Sequence, residues 1–584
     1  MLRLGWALLG GWLCMACVGG AGGSNELGKP VSVFPSRADL ESVAGKLAPA
    51  SDQSMPGLVD ADSWQTDVPP VAQAQYPEEN SWDSLLIEAA RGHGNPVVLS
   101  PELRCAAQEA ARFYTVHGGM PDDGLRDHLL LRCGSSLAAH GFSYLAQAIP
   151  DTVPTAQLEA HARTPLLQHL EERMKGASGQ LALGVARGNG RFAAVVISGT
   201  PRVTLRRFSP IITGSSATLE GELKDSAQFL TALVNQGLYG VAFCEVDPLV
   251  RLPAFRVTCP IAAQDQSARI ELATKQPSRV LFEPVGQVEV RREGSNPQYN
   301  AAAYGENSAV ANPAQFRAAL LSALNQVRVA ANLRPFVLEN QQSVTDERLA
   351  PYLYQSFHEG NDPQLRTITL GLLAGWDVKG LIRNGGVFFR TLNTTRNPSR
   401  WLTQALDSPL GRWVLLEPTA SGIGIGAIEL KPVGEMALVT TYAFFDHVDH
   451  RADEVAVLNE LNRLRKAHGA APLTRVVGDA ALTQALAQVS ASSLNSTTAM
   501  NNVLAQAAES TGKDVRGYVV ETNDIKLMQW DPLLVASSTL DVEVGVTHYR
   551  APGAAWGQYV VLFVIINHGS PVREAKRVSE PHRL

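Results

Sequence analysis

The chain has 584 residues, 45% hydrophobic and 18% charged, with a net charge of −6 and no long block of either sign. That length exceeds one hydrophobic core and predicts roughly three to five domains. The composition is that of a folded soluble protein, and the lack of a concentrated basic face argues against nucleic acid as a partner.

The N-terminus reads as a targeting segment. Arg3 is followed by a nearly unbroken apolar run from Leu4 to Val18, too short for a comfortable membrane span and suited to a signal sequence. Cys14-Met15-Ala16-Cys17 precedes a Gly-rich run, as in a bacterial lipobox, although Cys14 stands where such motifs usually carry Leu. On that reading residues 1–17 are the signal peptide and Cys17 is the lipid attachment site, with the membrane as a partner. The alternative is simple cleavage near Ala21. Residues 18–80 mix Pro, Ser, Gly, Asp and Gln with little periodicity and predict a flexible tether, with a short helix around Ser36–Lys46.

From 81 to 199 the pattern predicts helices over Trp82–Arg91, from Pro101 with Ser100 as its cap, and over Leu166–Met174. Two strands then flank Arg187-Gly-Asn-Gly-Arg191, whose Asn-Gly is a hairpin signal. Residues 200–295 contain short segments that alternate with period two and predict a small all-β sandwich. A polar linker follows, containing Asn-Pro twice. The cysteines beyond the signal are Cys105, Cys133, Cys244 and Cys259; an even number in an exported chain suggests disulfides. Of the three possible pairings, Cys105–Cys133 and Cys244–Cys259 each lie within one predicted domain and are preferred. Buried free thiols compete with that reading; zinc is disfavoured because no CxxC pair exists.

The second half contains an internal repeat. Val457, Leu458, Leu461 and Leu464 line one face of a helix that Gly469 and Pro472 end. Shifting back by 137 residues places Leu320, Leu321, Leu324 and Val327 on the same face, and superposes Asn325 on Asn462, Arg328 on Arg465 and Pro335 on Pro472. Asp377-Val-Lys-Gly380 likewise matches Asp514-Val-Arg-Gly517. The repeats span 310–446 and 451–568, with a tail at 569–584, and 81–199 is a more degenerate copy. All three end in a strand pair whose second member is a long apolar run, hence a strand covered on both faces. The predicted order within a unit is three helices and then antiparallel strands.

Leu461-Asn462-Arg463-Leu464-Arg465, Gly469 and Pro472-Leu473 resemble the opening Asn-x-x-Arg helix and Gly-x-x-Pro-Leu turn of the CAP superfamily (cysteine-rich secretory, antigen 5 and pathogenesis-related-1 proteins). Trp401 with Ser408-Pro409-Leu410-Gly411-Arg412 resembles that family's Ser-Pro-Gly-His-Arg segment, and Gly424-Ile-Gly-Ala its Gly-Val-Gly strand. Leu99-Ser-Pro-Glu-Leu-Arg-Cys-Ala-Ala resembles its second helix. The resemblance covers about 370 residues. It implies a multidomain α+β chain of three α-β-α sandwiches plus the β-sandwich. Many such domains carry two His and two Glu that hold a divalent metal. Here the first His position falls near Ala110, Pro351 and Gln488, the second at Gly411, and only Glu521 offers a Glu. One ligand of four does not build such a site, which implies degenerate copies without cofactor or catalytic residues.

Asp446, His447, Asp449 and His450 form a second, local metal candidate, set against the simpler reading of a solvated linker. Gly422-Ile-Gly-Ile-Gly426 lacks the spacing of a phosphate loop and reads as a strand packed closely against helices. The expected function is that of an exported, lipid-anchored envelope protein, in the outer membrane, periplasm or at the cell surface. It would bind an envelope lipid, glycan or protein. The alternatives are a metal-dependent hydrolase with a differently aligned site, and a structural spacer or assembly factor.

Overall fold

The computed structural model describes residues 35–44, 58–66, 81–92, 97–174, 179–224, 229–275, 281–301, 304–379, 382–392, 396–430, 434–445, 450–473, 480–491, 495–522, 540–549 and 557–571, with short pieces at 3–5, 17–18, 227, 530, 534–535 and 582–583. The chain is a multidomain α+β protein. It enters through α1 (Arg37–Ala44). The first unit comprises α2 (Ser81–Gly92), α3 (Pro101–His117), α4 (Asp123–Arg132), strand Gly141–Ala148, α5 (Thr155–Met174), and strands Gly179–Gly188 and Arg191–Gly199. The second comprises α6 (Pro313–Ala330), α7 (Asn340–His358), α8 (Asp362–Ala374), strand Ile382–Leu392, α9 (Pro398–Asp407), α10 (Pro409–Leu415), and strands Ala420–Leu430 and Gly434–Phe444. The third comprises α11 (His450–Ala467), α12 (Ala480–Ser490), α13 (Ser496–Thr511), and strands Lys513–Thr522, Leu540–Tyr549 and Gln558–Pro571.

In each unit the last strand is central and antiparallel to both neighbours. Period-two alternation sends its side chains to opposite helix layers. In the second unit Phe388, Ala437 and Val439 join the core with α6, α9 and α10, whereas Val387, Phe389, Met436 and Leu438 join α7 and α8. The first unit divides in the same way, with Ala193, Val195 and Ile197 under α3 and α4, and Phe192, Ala194 and Val196 under α2 and α5. In the third, Val561, Phe563 and Ile565 meet α11, and Val560, Leu562 and Val564 meet α12 and α13. Each unit is therefore an α-β-α sandwich.

The order within a unit differs from the expected three helices followed by strands. A strand comes directly after the third helix, and in the first two units a further helical segment precedes the hairpin. α4 and strand Gly141–Ala148 have no clear signature in the sequence. The helix expected over 166–174 begins already at Thr155 and carries Pro165 within it. The hairpin turn at Asn189-Gly190 forms as expected, with both residues left-handed at φ 52° and 70°. The Asp-Val-x-Gly match has different surroundings in its two copies. Asp377 lies in the loop before its strand, whereas Asp514 is already in the strand.

The repeated Asn and Arg have identical tasks. Asn325 accepts from Phe336 N at 2.7 Å and donates to Phe336 O at 3.0 Å; Asn462 makes the same pair with Leu473 at the same distances. Arg328 is fully buried, lies over the Phe336 ring, and donates to the carbonyls of Arg334 (2.7 Å), Leu415 (2.8 Å) and Ala420 (2.7 Å). Arg465, also fully buried, donates to Ala471 O at 2.8 Å and to Leu534 O. A guanidinium with fixed N–H directions satisfies loop carbonyls that would otherwise be buried without partners. It thereby ties the first helix to the segment entering the second strand.

Residues 200–295 form two packed sheets, with strand orders Val203–Arg207, Ser216–Leu223, Ala254–Pro260, Glu245–Val246 and Ile211–Ile212, Glu283–Arg292, Ser267–Lys275, Phe229–Gln236, Gly240–Phe243. Cys244 lies where the chain leaves one sheet for the other, and its disulfide to Cys259 fixes that corner. The second disulfide joins Cys105 on α3 to Cys133 at the end of α4.

The expected tether and polar linker hold docked pieces. On α1, Leu40 is buried against α7 and α8, Arg37 pairs with Asp377 at 2.6 Å, and Glu41 pairs with Arg348. Residues 58–66 lie across the first and second units. Ala61 N donates to Asp122, Trp64 Nε1 donates to Glu109 at 3.2 Å, and Arg400 donates to Ala61 O at 2.6 Å and to Asp62. Strand Tyr299–Asn300, in the linker, pairs with Ser63–Trp64. The polarity of these stretches misled the sequence reading, because their anchors are isolated residues without periodicity. Burying Leu40 contributes about 2 kcal/mol, whereas ordering each residue of the arm costs on the order of 1–2 kcal/mol.

Arg465→Met leaves buried carbonyls unpaired at about 1–3 kcal/mol each. Local opening in the third unit should become roughly 100-fold more frequent. Hydrogen exchange in strand Gln558–Pro571 should accelerate accordingly, with strand Gly434–Phe444 unchanged.

Candidate functional site

The second unit carries an open cleft at one end of its sheet. It is lined by Asn384, Gly385, Gly386, Trp413, Val414, Glu417, Ala420, Thr441 and Ala443, with an empty volume of about 260 Å³ including its mouth. Only about 10 Å³ admits the centre of a water-sized sphere, roughly what one water requires. Arg328 builds one wall through its bonds to the carbonyls of Leu415, Glu417 and Ala420. The Glu417 side chain accepts from Thr419 N at 3.2 Å and Thr419 Oγ1 at 2.8 Å. The cleft thus offers an aromatic wall and hydrogen-bonding groups suited to a small polar moiety.

Beside it lies Ser408-Pro409-Leu410-Gly411-Arg412. Ser408 caps α10, accepting from Gly411 N at 3.3 Å. A side chain at Gly411 would overlap the carbonyl of Ala405, so the turn from α9 to α10 requires glycine at the second His position. The same segment docks the β-sandwich. Glu271 accepts from Ser408 Oγ at 2.8 Å and Leu410 N at 3.1 Å. Arg412 donates to Leu406 O at 2.6 Å and to Gly237 O and Gly240 O at 3.0 Å. Trp413 packs edge-on against Phe243 and Phe282. These contacts were not visible in the sequence, because their partners lie 137 to 175 residues away.

The remaining positions are scattered. Ala110 is buried in α3, Pro351 lies inside α7, and Gln488 is half-buried on α12. Glu521 accepts from Ser496 Oγ at 2.7 Å. Asp446, His447 and Asp449 fall outside the described residues, as does Cys14. His450 opens α11, with Nδ1 3.9 Å from Asp453 and its ring 5.2 Å from that of His548. Phe445 stacks on His548 at 4.9 Å, and burial together with His450 lowers the His548 pKa. Cys17–Val18 forms a short strand beside Gly386–Val387. Among the described residues no group of three or more His, Cys, Asp or Glu gathers as a metal-binding set, and no helix is long and apolar enough to cross a membrane.

Two buried ionisable groupings escaped the sequence reading. Asp346, on α7, is fully buried and accepts from Gln342 Nε2 and Thr440 Oγ1, each at 2.8 Å. Neighbouring Gly426 carries no side chain because one would overlap the backbone at Asp346–Glu347, which fits the expected close packing of the Gly-rich strand. Loss of hydration pushes the Asp346 carboxyl from its ordinary 3.8 up to about 7, against the two hydrogen bonds. The strand glycines were the available hint that a helix residue lies against them.

The second grouping surrounds α4, whose Asp123, Arg126, Asp127 and Arg132 are all buried. Asp127 lies 3.6 Å from Arg269 of the β-sandwich and 4.0 Å from His140. Burial raises Asp127 and lowers His140 to about 3 and His128 to about 4, so both imidazoles are neutral near pH 7. Asp122 caps α4, receives Ala61 N at 3.0 Å, and is raised to about 6, chiefly by burial. Arg132 donates to Asn296, and Gln287 to Leu137 O at 2.8 Å. This is a polar seam joining the first unit, the sandwich and the linker.

Asp346 stays protonated in the folded chain up to about pH 7, whereas the unfolded chain releases that proton near pH 4. Its contribution therefore lowers stability progressively as pH rises from about 4 to about 7, then levels off. Asp346→Asn should remove this slope. Its melting temperature should exceed that of the wild type above pH 7.5, corresponding to at most about 4 kcal/mol, and converge with it towards pH 4.

No family model matches this chain, and no curated protein matches it in sequence. The fold and the candidate cleft therefore rest on the geometry described above.

Proposed function

We propose that this is an exported, lipid-anchored cell-envelope protein whose three degenerate CAP-like domains and β-sandwich act as a binding module rather than as an enzyme. The observation that carries this reading is the use of Ser408–Arg412. In the family it resembles, this segment contributes to a metal-binding cleft; here Gly411 replaces the His, and Ser408, Leu410 and Arg412 hold the β-sandwich. A surface once suited to chemistry has been turned to protein contact. The ligand would be an envelope lipid, glycan or protein, and the anchor would be Cys17. The two disulfides and the lack of a membrane-crossing helix among the described residues are compatible with that location. Tandem copies add avidity where each offers a similar surface.

Two measurements test this. Inductively coupled plasma mass spectrometry on the purified chain should find metal well below one equivalent; stoichiometric zinc, or another divalent metal, would count against the binding reading. Cells fed labelled palmitate should incorporate it into the wild-type chain and not into Cys17→Ser, which should leave the membrane fraction. Equal labelling of both would remove Cys17 as the anchor.

A further inference from the structure

α1 occupies a groove between α7 and α8 whose shape suits its occupant. Leu40 is 4% exposed, and Gly371 of α8 makes room for it: a Cβ there would lie 2.6 Å from both Leu40 methyl carbons. Glycine inside a helix is intrinsically unfavourable, so its presence needs a reason. Counting back four residues from the helix caps Gly375, Gly512 and Cys133, the corresponding positions are Gly371, Ala508 and Leu129. Only the copy that seats α1 has the notch.

The groove is also electrically polarised. At one end Asp377 receives Arg37 Nη1 at 2.6 Å and is held by Thr345 Oγ1 at 2.8 Å. Along the side, Arg348 presents both terminal nitrogens to Glu41, at 3.1 and 2.6 Å. Tyr352 donates to the carbonyl of Ala44, the last residue of α1, at 3.0 Å. The ion pairs lie about half exposed, where water and salt screen them. An eight-residue helix is too short to persist alone, so α1 takes its form from the groove.

We propose that α1 is a displaceable occupant of a helix-docking groove on the second unit. The groove would take the short amphipathic helix of a partner protein carrying the same anchors: an apolar residue, an arginine three positions before it and an acid directly after it. Weak anchors, a helix formed only on docking and a notch found in one copy describe a recognition groove covered by its own chain. The surface is distinct from the cleft, and the proposal is independent of lipidation or metal content.

The test uses the full-length chain and a fluorescein-labelled peptide of residues 35–46. Leu40→Asp vacates the groove, and fluorescence anisotropy should then show micromolar binding, at least tenfold tighter than to the wild type, whose own α1 competes. Arg348→Glu in the Leu40→Asp background should abolish binding, and a peptide carrying Glu41→Arg should restore it. In the wild type, amides of 39–44 should exchange at least 100-fold faster than those of α8. No peptide binding by a normally melting Leu40→Asp chain would overturn the proposal. So would α1 exchange as slow as that of α8, or loss of the second unit's folding in Leu40→Asp, since either makes α1 an integral helix. A wild-type dimer that Leu40→Asp dissociates would assign the groove to a second copy and overturn the foreign partner.

Discussion

The structure depends on a buried arginine at the end of each well-preserved first helix. Arg328 and Arg465 are fully buried, and their recorded hydrogen bonds go to main-chain carbonyls rather than to carboxylates. Burial lowers the Arg328 pKa to about 10, which still leaves it charged at neutral pH. A charged fork bonded to fixed carbonyls is directional, and it sets where the loop between the helix layers and the hairpin must run. The adjacent Asn325 and Asn462 fix the preceding turn by the same two bonds. Together these side chains explain why the Asn-x-x-Arg pattern persists although the chemical residues of the resembled family do not: the pattern builds the fold, and the fold is needed whatever the domain does.

That distinction separates what was legible in the sequence from what was not. The repeat was legible because Leu320, Leu324 and Val327 share one helix face with Asn325 and Arg328 at fixed offsets. The β-sandwich was legible from alternation, and the hairpin at Asn189-Gly190 from turn chemistry. α4 was missed because its apolar side chains do not form a stripe; every side is covered, by its own unit on one side and by charged neighbours on the other. A helix buried all round among polar partners has no amphipathic signature.

The docked arm and the site-level contacts were illegible for a related reason. Leu40, Trp64 and Tyr299 are single anchors in polar surroundings, and their partners lie in other domains. Arg412 could be placed beside a family motif, but its acceptors at Gly237 and Gly240 belong to a hairpin that nothing in the sequence links to it. Asp346 sits in a stretch whose letters give no hint of burial, and only the cross-strand glycines point towards it. Local pattern specifies elements; contacts between modules depend on surfaces the pattern does not encode.

The corner at Cys244 gives one of those contacts a dependence on compartment. The Cys244–Cys259 bond pins the chain where it passes between the two sheets of the sandwich. A few residues upstream, the same hairpin supplies the Gly237 and Gly240 carbonyls that receive Arg412, and Phe243, which rests on Trp413. Oxidation of one thiol pair thereby bears on how firmly the sandwich meets the second unit, and hence on one wall of its cleft. Before that bond forms, the two modules are free to fold separately. Afterwards they are joined, so the redox state of the surroundings sets the order of assembly.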